Sequence, residues 1–209
     1  MTRKTTNGPV RNKERTKKKL IEAVGKVLSQ DGFAALNVSQ VASKAKVNRK
    51  LVYEYFGGME ELIREYLNGK DFYRFEPEQT EQIIEQSKGD FGKSMMNILL
   101  ERQFDQLMGD DELRRIITWG LCENSKPLQE LNDDREALAE LLFSNVTDNY
   151  FKDRDKNIRA VEAILISGIY YLSLYPLNGT SFCGIDIKGA EGQAEIKKTL
   201  KQIIDWAYS

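Results

Sequence analysis

The stretch VNRKLVYEYF, Val47 to Phe56, decides how the chain is read. Two bases and a glutamate alternate with two tyrosines. Val52 and Phe56 stand four residues apart, the spacing that puts both on the inner face of a short helix. With those two turned inward, Arg49, Lys50, Tyr53, Glu54 and Tyr55 are left to project. Asn48 opens the segment as a capping residue.

A second short helix precedes it. Asn37 is a good N-cap and Gln40 follows three residues later, as in a capping box. Val38, Val41, Ala42 and Ala45 then form one apolar face. Two short helices joined by a tight turn, the second rich in exposed bases, make a helix-turn-helix. A projecting helix of this kind fits the DNA major groove. There Arg49 donates two hydrogen bonds to a guanine edge, and Lys50 donates as a point charge. Glu54 suits a cytosine amino group or limits unspecific phosphate attraction. Tyr53 and Tyr55 carry hydroxyl donors on rigid rings, suited to phosphate. An ordinary amphipathic helix with solvated bases fits the ten residues equally well, so the surrounding chain has to decide.

Upstream, a helix is expected from Asn12. Leu20, Val24, Val27 and Leu28 share a stripe, with Arg15, Lys18, Lys19, Glu22 and Lys26 opposite. Asp31-Gly32 ends it, with Gly32 suited to a left-handed terminal residue. Downstream, Gly57-Gly58 breaks the chain, and MEELIREYL starts a fourth helix with Glu60 and Glu61 in its first turn.

Charge is divided unevenly over the 209 residues. Residues 1–56 hold thirteen Lys/Arg and four Asp/Glu, a net +9; residues 57–209 hold eighteen and twenty-eight, a net −10. A basic front end on an acidic body implies different partners for the two. The chain has no histidine and two cysteines, Cys122 and Cys183. Histidine-dependent catalysis is excluded, and neither a zinc site nor a disulfide framework has the residues it needs. No catalytic residue, metal or cofactor is expected. The most apolar run, Ala163 to Leu177, falls short of the roughly 20 residues that span a bilayer, so a cytoplasmic protein without a membrane partner is expected.

Beyond residue 75 the pattern stays helical, near 78–88, 91–108, 111–124, 127–151, 155–176 and 189–208, with the 178–189 stretch as an extended loop. The expected class is all-α, in three parts: a disordered basic tail over 1–11, a helix-turn-helix domain over 12–57, and a larger helical domain over 58–209.

The stretch GFAALNVSQVASKAKVNRKLVYEYFGGMEELI, Gly32 to Ile63, resembles the DNA-binding domain of TetR-family regulators. It shares an aromatic after glycine, V-x-x-[IV]-A, A-x-V, a Y-x-Y-F run, and E-E-L after a short break. With the preceding helix, the resemblance covers about 50 residues. Three positions depart from the family pattern. Lys46 stands where the family usually has glycine in the turn, Leu51 where it often has a small residue or threonine, and Met59 where it usually has a lysine that touches phosphate. Arg3, Lys4 and Arg11 in the tail are expected to compensate along DNA or in a minor groove. By the resemblance, Asn37, Asn48, Arg49, Lys50, Leu51, Tyr53, Glu54 and Tyr55 form the DNA interface with double-stranded DNA.

The resemblance also implies a body that forms a homodimer through its last two long helices and encloses a small-molecule effector. Ile158, Val161, Leu165, Gly168, Leu172, Leu200, Ile203 and Ile204 are the expected dimer contacts. Met95, Ile98, Arg102, Trp119, Cys122, Phe143, Ile166 and Tyr170 are the expected pocket residues, with Arg102 a candidate partner for an acidic ligand. Two functions stay open: a ligand-released repressor on a palindromic operator, and an architectural DNA-binding protein that ignores ligands.

Overall fold

A computed structural model describes residues 9–70, 75–177 and 179–209. The basic tail through Gly8, with Arg3 and Lys4, lies outside the described residues, as does the side chain of Arg11. The described residues form an all-α protein with a single two-residue β-ribbon. They divide into two compact units. One joins the described residues through 70 with 119–132; the other joins 75–118 with 133–209.

The first unit is built on α1 (Pro9–Asp31), α2 (Val38–Ala45), α3 (Lys50–Phe56) and α4 (Met59–Asn68). Helix α1 starts at Pro9, three residues ahead of the expected Asn12; proline suits a first helical turn, where its missing N–H costs nothing. Leu20, Val24, Val27 and Leu28 are buried as their spacing demands, against Val41 and Ala42 of α2 and Leu62, Tyr66 and Leu67 of α4. Gly32 takes a positive φ of 79° but an extended ψ of 171°, outside the left-handed helical region expected for it. It leads into a single turn of 3-10 helix, Phe33–Ala35. Residues 119–132 add buried Trp119, Leu128 and Leu131 to this unit.

The second unit contains α5 (Pro77–Ser87), α6 (Lys93–Gly109), the first two turns of α7 (Asp111–Cys122) and the later turns of α8 (Lys126–Leu142). It continues through α9 (Asp148–Phe151), α10 (Ile158–Leu174) and α11 (Ala190–Ala207). Helix α6 packs against both α10 and α11. The long helix expected over 127–151 is interrupted by a π-helical turn, Phe143–Thr147. Three side chains compete there for backbone carbonyls: Ser144 donates to Glu140, Asn145 to Leu141, and Thr147 to Phe143. Within the expected loop, residues 179–189 form β1 (Ser181–Phe182) and β2 (Ile185–Asp186), antiparallel, with Phe182 opposite Ile185. Cys183 and Gly184 both take positive φ, 51° and 80°, which matches the right-handed twist of a two-residue hairpin.

Candidate nucleic-acid interface

Backbone hydrogen bonds and caps place α3. The Asn37 side-chain oxygen accepts from the backbone N–H groups of Ser39 and Gln40, both at 3.1 Å, and fixes the start of α2. That helix stops at Lys46, which adopts the left-handed conformation (φ 56°, ψ 47°) and returns its N–H to Ala42 and Ser43. The residue that departs from glycine therefore sits where glycine is least strained. Asn48 then accepts from the Lys50 N–H at 2.9 Å, one residue ahead of Arg49, which holds the N-cap position of α3 itself. Two of the eight expected interface residues, Asn37 and Asn48, thus use their side-chain oxygens on their own backbone.

Val52 is fully buried and locks α3 to the unit. Arg49, Lys50, Tyr53 and Glu54 are exposed, with Tyr53 57% accessible, while Leu51 and Tyr55 are half-buried. Phe56, expected inside, is also half-buried. The rings of Tyr55 and Phe56 lie under the ammonium groups of Lys13 and Lys17, 5.3 and 5.6 Å from their centroids. Lysines of α1 thereby cover α3's aromatic side and leave its basic side free. Arg15, Lys18, Lys19 and Lys26 of α1 are exposed too. Within the same unit, Arg64 of α4 pairs with Glu130 of α8 at 2.6 Å. That hydrogen bond raises the arginine's pKa and lowers the carboxyl's, against a smaller opposing effect of burial.

The eight expected pocket residues fall in both units. Trp119 and Cys122 belong to the first unit, and the other six to the second. Trp119 is buried beside a recess of about 310 Å³ that Phe33, Leu36, Glu60 and Ile63 also line. Cys122, Ile98 and Arg102 are exposed. Ile98 lies in an open groove of about 520 Å³ between α6 and α11, beside Asn97 and Lys197. Met95 is buried, and Phe143, Ile166 and Tyr170 are half-buried.

Of the expected dimer residues, Ile158, Leu165, Leu200 and Ile204 are buried in the chain's own core, and Val161, Gly168, Leu172 and Ile203 are half-buried. The apolar side chains left open are Ile164 (71%) and Tyr171 (54%) on α10, and Trp206 (58%) on α11. Pattern reading passed over Gln103 and Glu162. Both fall on buried stripes, and neither the Gln103 Oε1 nor the Glu162 Oε2 has a partner among the described residues. Among those residues no helix is long and apolar enough to cross a membrane, and no cluster of metal-ligating side chains occurs.

A helix-turn-helix whose second helix is held by a buried valine and presents arginine, lysine and tyrosine to solvent is the arrangement that DNA-binding domains use. Residues 19–66 match the model of the bacterial regulatory proteins of the tetR family. That match, which takes in α2, α3 and most of α1 and α4, makes this N-terminal segment similar to the DNA-binding domain of that family. Over 50 residues it is 36% identical to the HTH-type transcriptional repressor NicS of Pseudomonas putida, a match covering 24% of either chain, so about a quarter of that relative's length. NalD of Pseudomonas aeruginosa, the secondary repressor of the MexAB-OprM multidrug efflux pump, superposes with a TM-score of 0.64 and 18% identity, covering 94% of this chain and 96% of its own. The transcriptional regulator FadR of Bacillus subtilis, solved with stearoyl-CoA, superposes at 0.57 and 16%, covering 88% and 96%. At these identities the structural likeness speaks for the fold.

Proposed function

We propose that the chain is a cytoplasmic, effector-responsive repressor that binds a palindromic operator as a homodimer. The exposed face of α3, with Arg49, Lys50, Tyr53 and Glu54 free around buried Val52, carries the reading. In a two-fold pair, two such helices read half-sites about one helical turn apart, roughly 34–36 Å. The open Ile164 and Tyr171 on an otherwise apolar helix support a self-association face, since side chains of that size are normally covered. NicS and NalD are named repressors, and FadR was solved with an acyl-CoA; both facts favour repression relieved by a small molecule. An effector acts by preferring the arrangement in which the two reading helices are badly spaced, and its leverage equals its differential affinity for the two arrangements.

Selection of bound DNA from a random pool tests this. Recovery of an inverted repeat, bound at two chains per site and lost on Arg49→Ala, supports the reading. Recovery of no preferred sequence, with binding that depends only on salt, favours the architectural role instead.

A further inference from the structure

The turn between α2 and α3 carries a side chain that its backbone disfavours. Lys46 sits at φ 56° and ψ 47°, the left-handed region where a Cβ is crowded and glycine is at ease. The backbone shape itself is needed. The Lys46 and Val47 N–H groups close α2 onto the carbonyls of Ser43 and Ala42, at 3.1 and 3.0 Å. The lysine is not needed for that, since glycine or asparagine takes the same conformation with less strain. Two other side-chain-bearing residues among those described have positive φ, and each has a local reason. Phe91 stacks its ring on Tyr150 at 4.7 Å, and its carbonyl accepts from the Tyr208 hydroxyl at 2.8 Å. Cys183 shares a two-residue hairpin turn with Gly184. Lys46 has neither.

What Lys46 has is a free charge. Its side chain is exposed, and among the described residues its ammonium meets no acid, ring or carbonyl. Lys44, two residues earlier, differs: it bonds Asp31 at 2.9 Å and so belongs to the unit's own fold. Arg49 and Lys50, three and four residues after Lys46, are exposed and equally without an ion pair among the described residues. Three unneutralised cations thus stand between positions 46 and 50, at the start of α3. In a helix-turn-helix the second helix enters the groove by its N-terminal end, while the first crosses the sugar–phosphate backbone. The turn joins the two, so a long cation on it stands between the base edges and the phosphates.

Resting on the reading of α3 as the DNA-reading helix, we propose that Lys46 is a phosphate-binding residue, and that the turn keeps a strained lysine because its ammonium pairs with the DNA backbone. The partner is duplex backbone of any sequence, since a phosphate carries no base identity. The contact fixes the start of α3 against one strand and so sets where Arg49 meets the base edges. The lysine therefore lowers folded stability and raises DNA affinity, and that opposition is its signature. The substitution that most relaxes the turn is also one that weakens binding. A lysine kept only to hydrate an exposed turn shows the first effect without the second.

The test uses the full chain as wild type, Lys46→Gly, Lys46→Asn and Lys46→Arg. Each is titrated into a fluorescently labelled, mixed-sequence DNA duplex at several salt concentrations, and each is melted without DNA. Lys46→Gly and Lys46→Asn should bind several-fold more weakly at low salt. Their slope of log affinity against log salt should be smaller by about 1 for each chain bound, the counterion of one phosphate. Both should melt no lower than wild type, so the weaker binding is not a folding defect. Lys46→Arg keeps charge and strain together, and should keep the wild-type slope. Wild-type slope and affinity in the two neutral variants, a slope in Lys46→Arg as small as in Lys46→Gly, or a Lys46→Gly protein that melts below wild type overturns the proposal. The DNA-reading assignment is judged separately, on wild type and Arg49→Ala. Duplex binding that ignores Lys46 but loses its base preference with Arg49→Ala removes only the phosphate assignment, whereas a wild type that binds no duplex removes both.

Discussion

The Arg64 guanidinium of α4 donates to the Glu130 carboxylate of α8 at 2.6 Å, joining positions 66 residues apart within the first unit. Neither side chain is deeply buried, at 33% and 38% exposure, so solvent screens the attraction. Arg64→Met and Glu130→Gln should each shift the urea midpoint only slightly and combine non-additively. Strictly additive losses would mean that the bond contributes nothing to holding residues 119–132 against α4.

Lys46 offers the opposite case, a residue whose own conformation opposes stability. Its left-handed backbone costs a side-chain-bearing residue about 1 kcal/mol that glycine avoids. The open space around an exposed turn leaves nothing for the lysine to recover by packing. Lys46→Gly should raise stability by ~0.5–1 kcal/mol, seen as an increase of a few degrees in melting temperature. A decrease would show that the lysine makes a compensating contact.

Arg49 and Asn37 separate reading from scaffolding. Arg49 is exposed, and Asn37 is committed to two backbone N–H groups of α2. Arg49→Ala should cost about 1–3 kcal/mol on the preferred operator and relax the base preference at one position. Asn37→Ala should cost ~0.5–2 kcal/mol of folding stability through the lost cap, with base preference retained. Tyr53→Phe, removing one phosphate donor, should weaken all sequences alike. Equilibrium binding to the selected operator and to single-base variants distinguishes these outcomes.

The helix-turn-helix was legible because its signals are local. Asn37 and Asn48 each bond backbone N–H groups within three residues of themselves, Val52 is fixed by a four-residue spacing, and Gly57 (φ 89°) breaks the chain where the sequence says it must. The body was legible only as helices. Helix α10 is apolar nearly all round, so periodicity does not say which of the neighbours Ile164 and Leu165 turns outward; the fold leaves one 71% exposed and the other 6%. Glu162 and Arg102 show the same blindness to depth. Only tertiary packing covers most of the first and exposes the second. The π turn at Phe143–Thr147 was hidden because serine, asparagine and threonine read as ordinary surface residues of a long helix.

Glu162 also gives the protein without ligand a particular pH response. Its carboxyl rises from 4.5 to about 7 on folding, through burial. The folded chain therefore keeps this proton to higher pH than the unfolded chain. Stability from this group is full below about pH 4.5 and is lost as pH rises to 7. At 1.36 kcal/mol per unit the loss is at most ~3 kcal/mol. Tyr208 is the titratable group that shares its field, together with Tyr150 and Asp90, and burial pushes the Tyr208 hydroxyl up, out of this range. Glu130, Glu140 and Asp205 are shifted down by their bases, so they weaken the fold only as pH drops below the ordinary carboxylate range. Between about pH 5 and 7.5, wild type should lose stability while Glu162→Gln stays flat and ends the more stable of the two. Parallel urea curves for both proteins across that range would remove Glu162 from the account.

Ile164 and Tyr171 stand seven residues apart on α10, two turns along one face, with Ser167 between them also exposed. Gly168 beside them has nothing within 4 Å of where a side chain would begin. None of these residues holds the chain's own core together, so a charge placed there leaves the protomer folded. Ile164→Glu should convert the proposed dimer to monomer in sedimentation, with the melting transition kept and operator affinity reduced by the loss of one of two coupled half-site contacts. Leu165→Glu, one residue on, buries an unpaired charge at a position only 6% exposed and should instead abolish folding. If Ile164→Glu sediments as wild type does, the self-association face lies elsewhere, and the exposed Trp206 of α11 is the next place to put the charge.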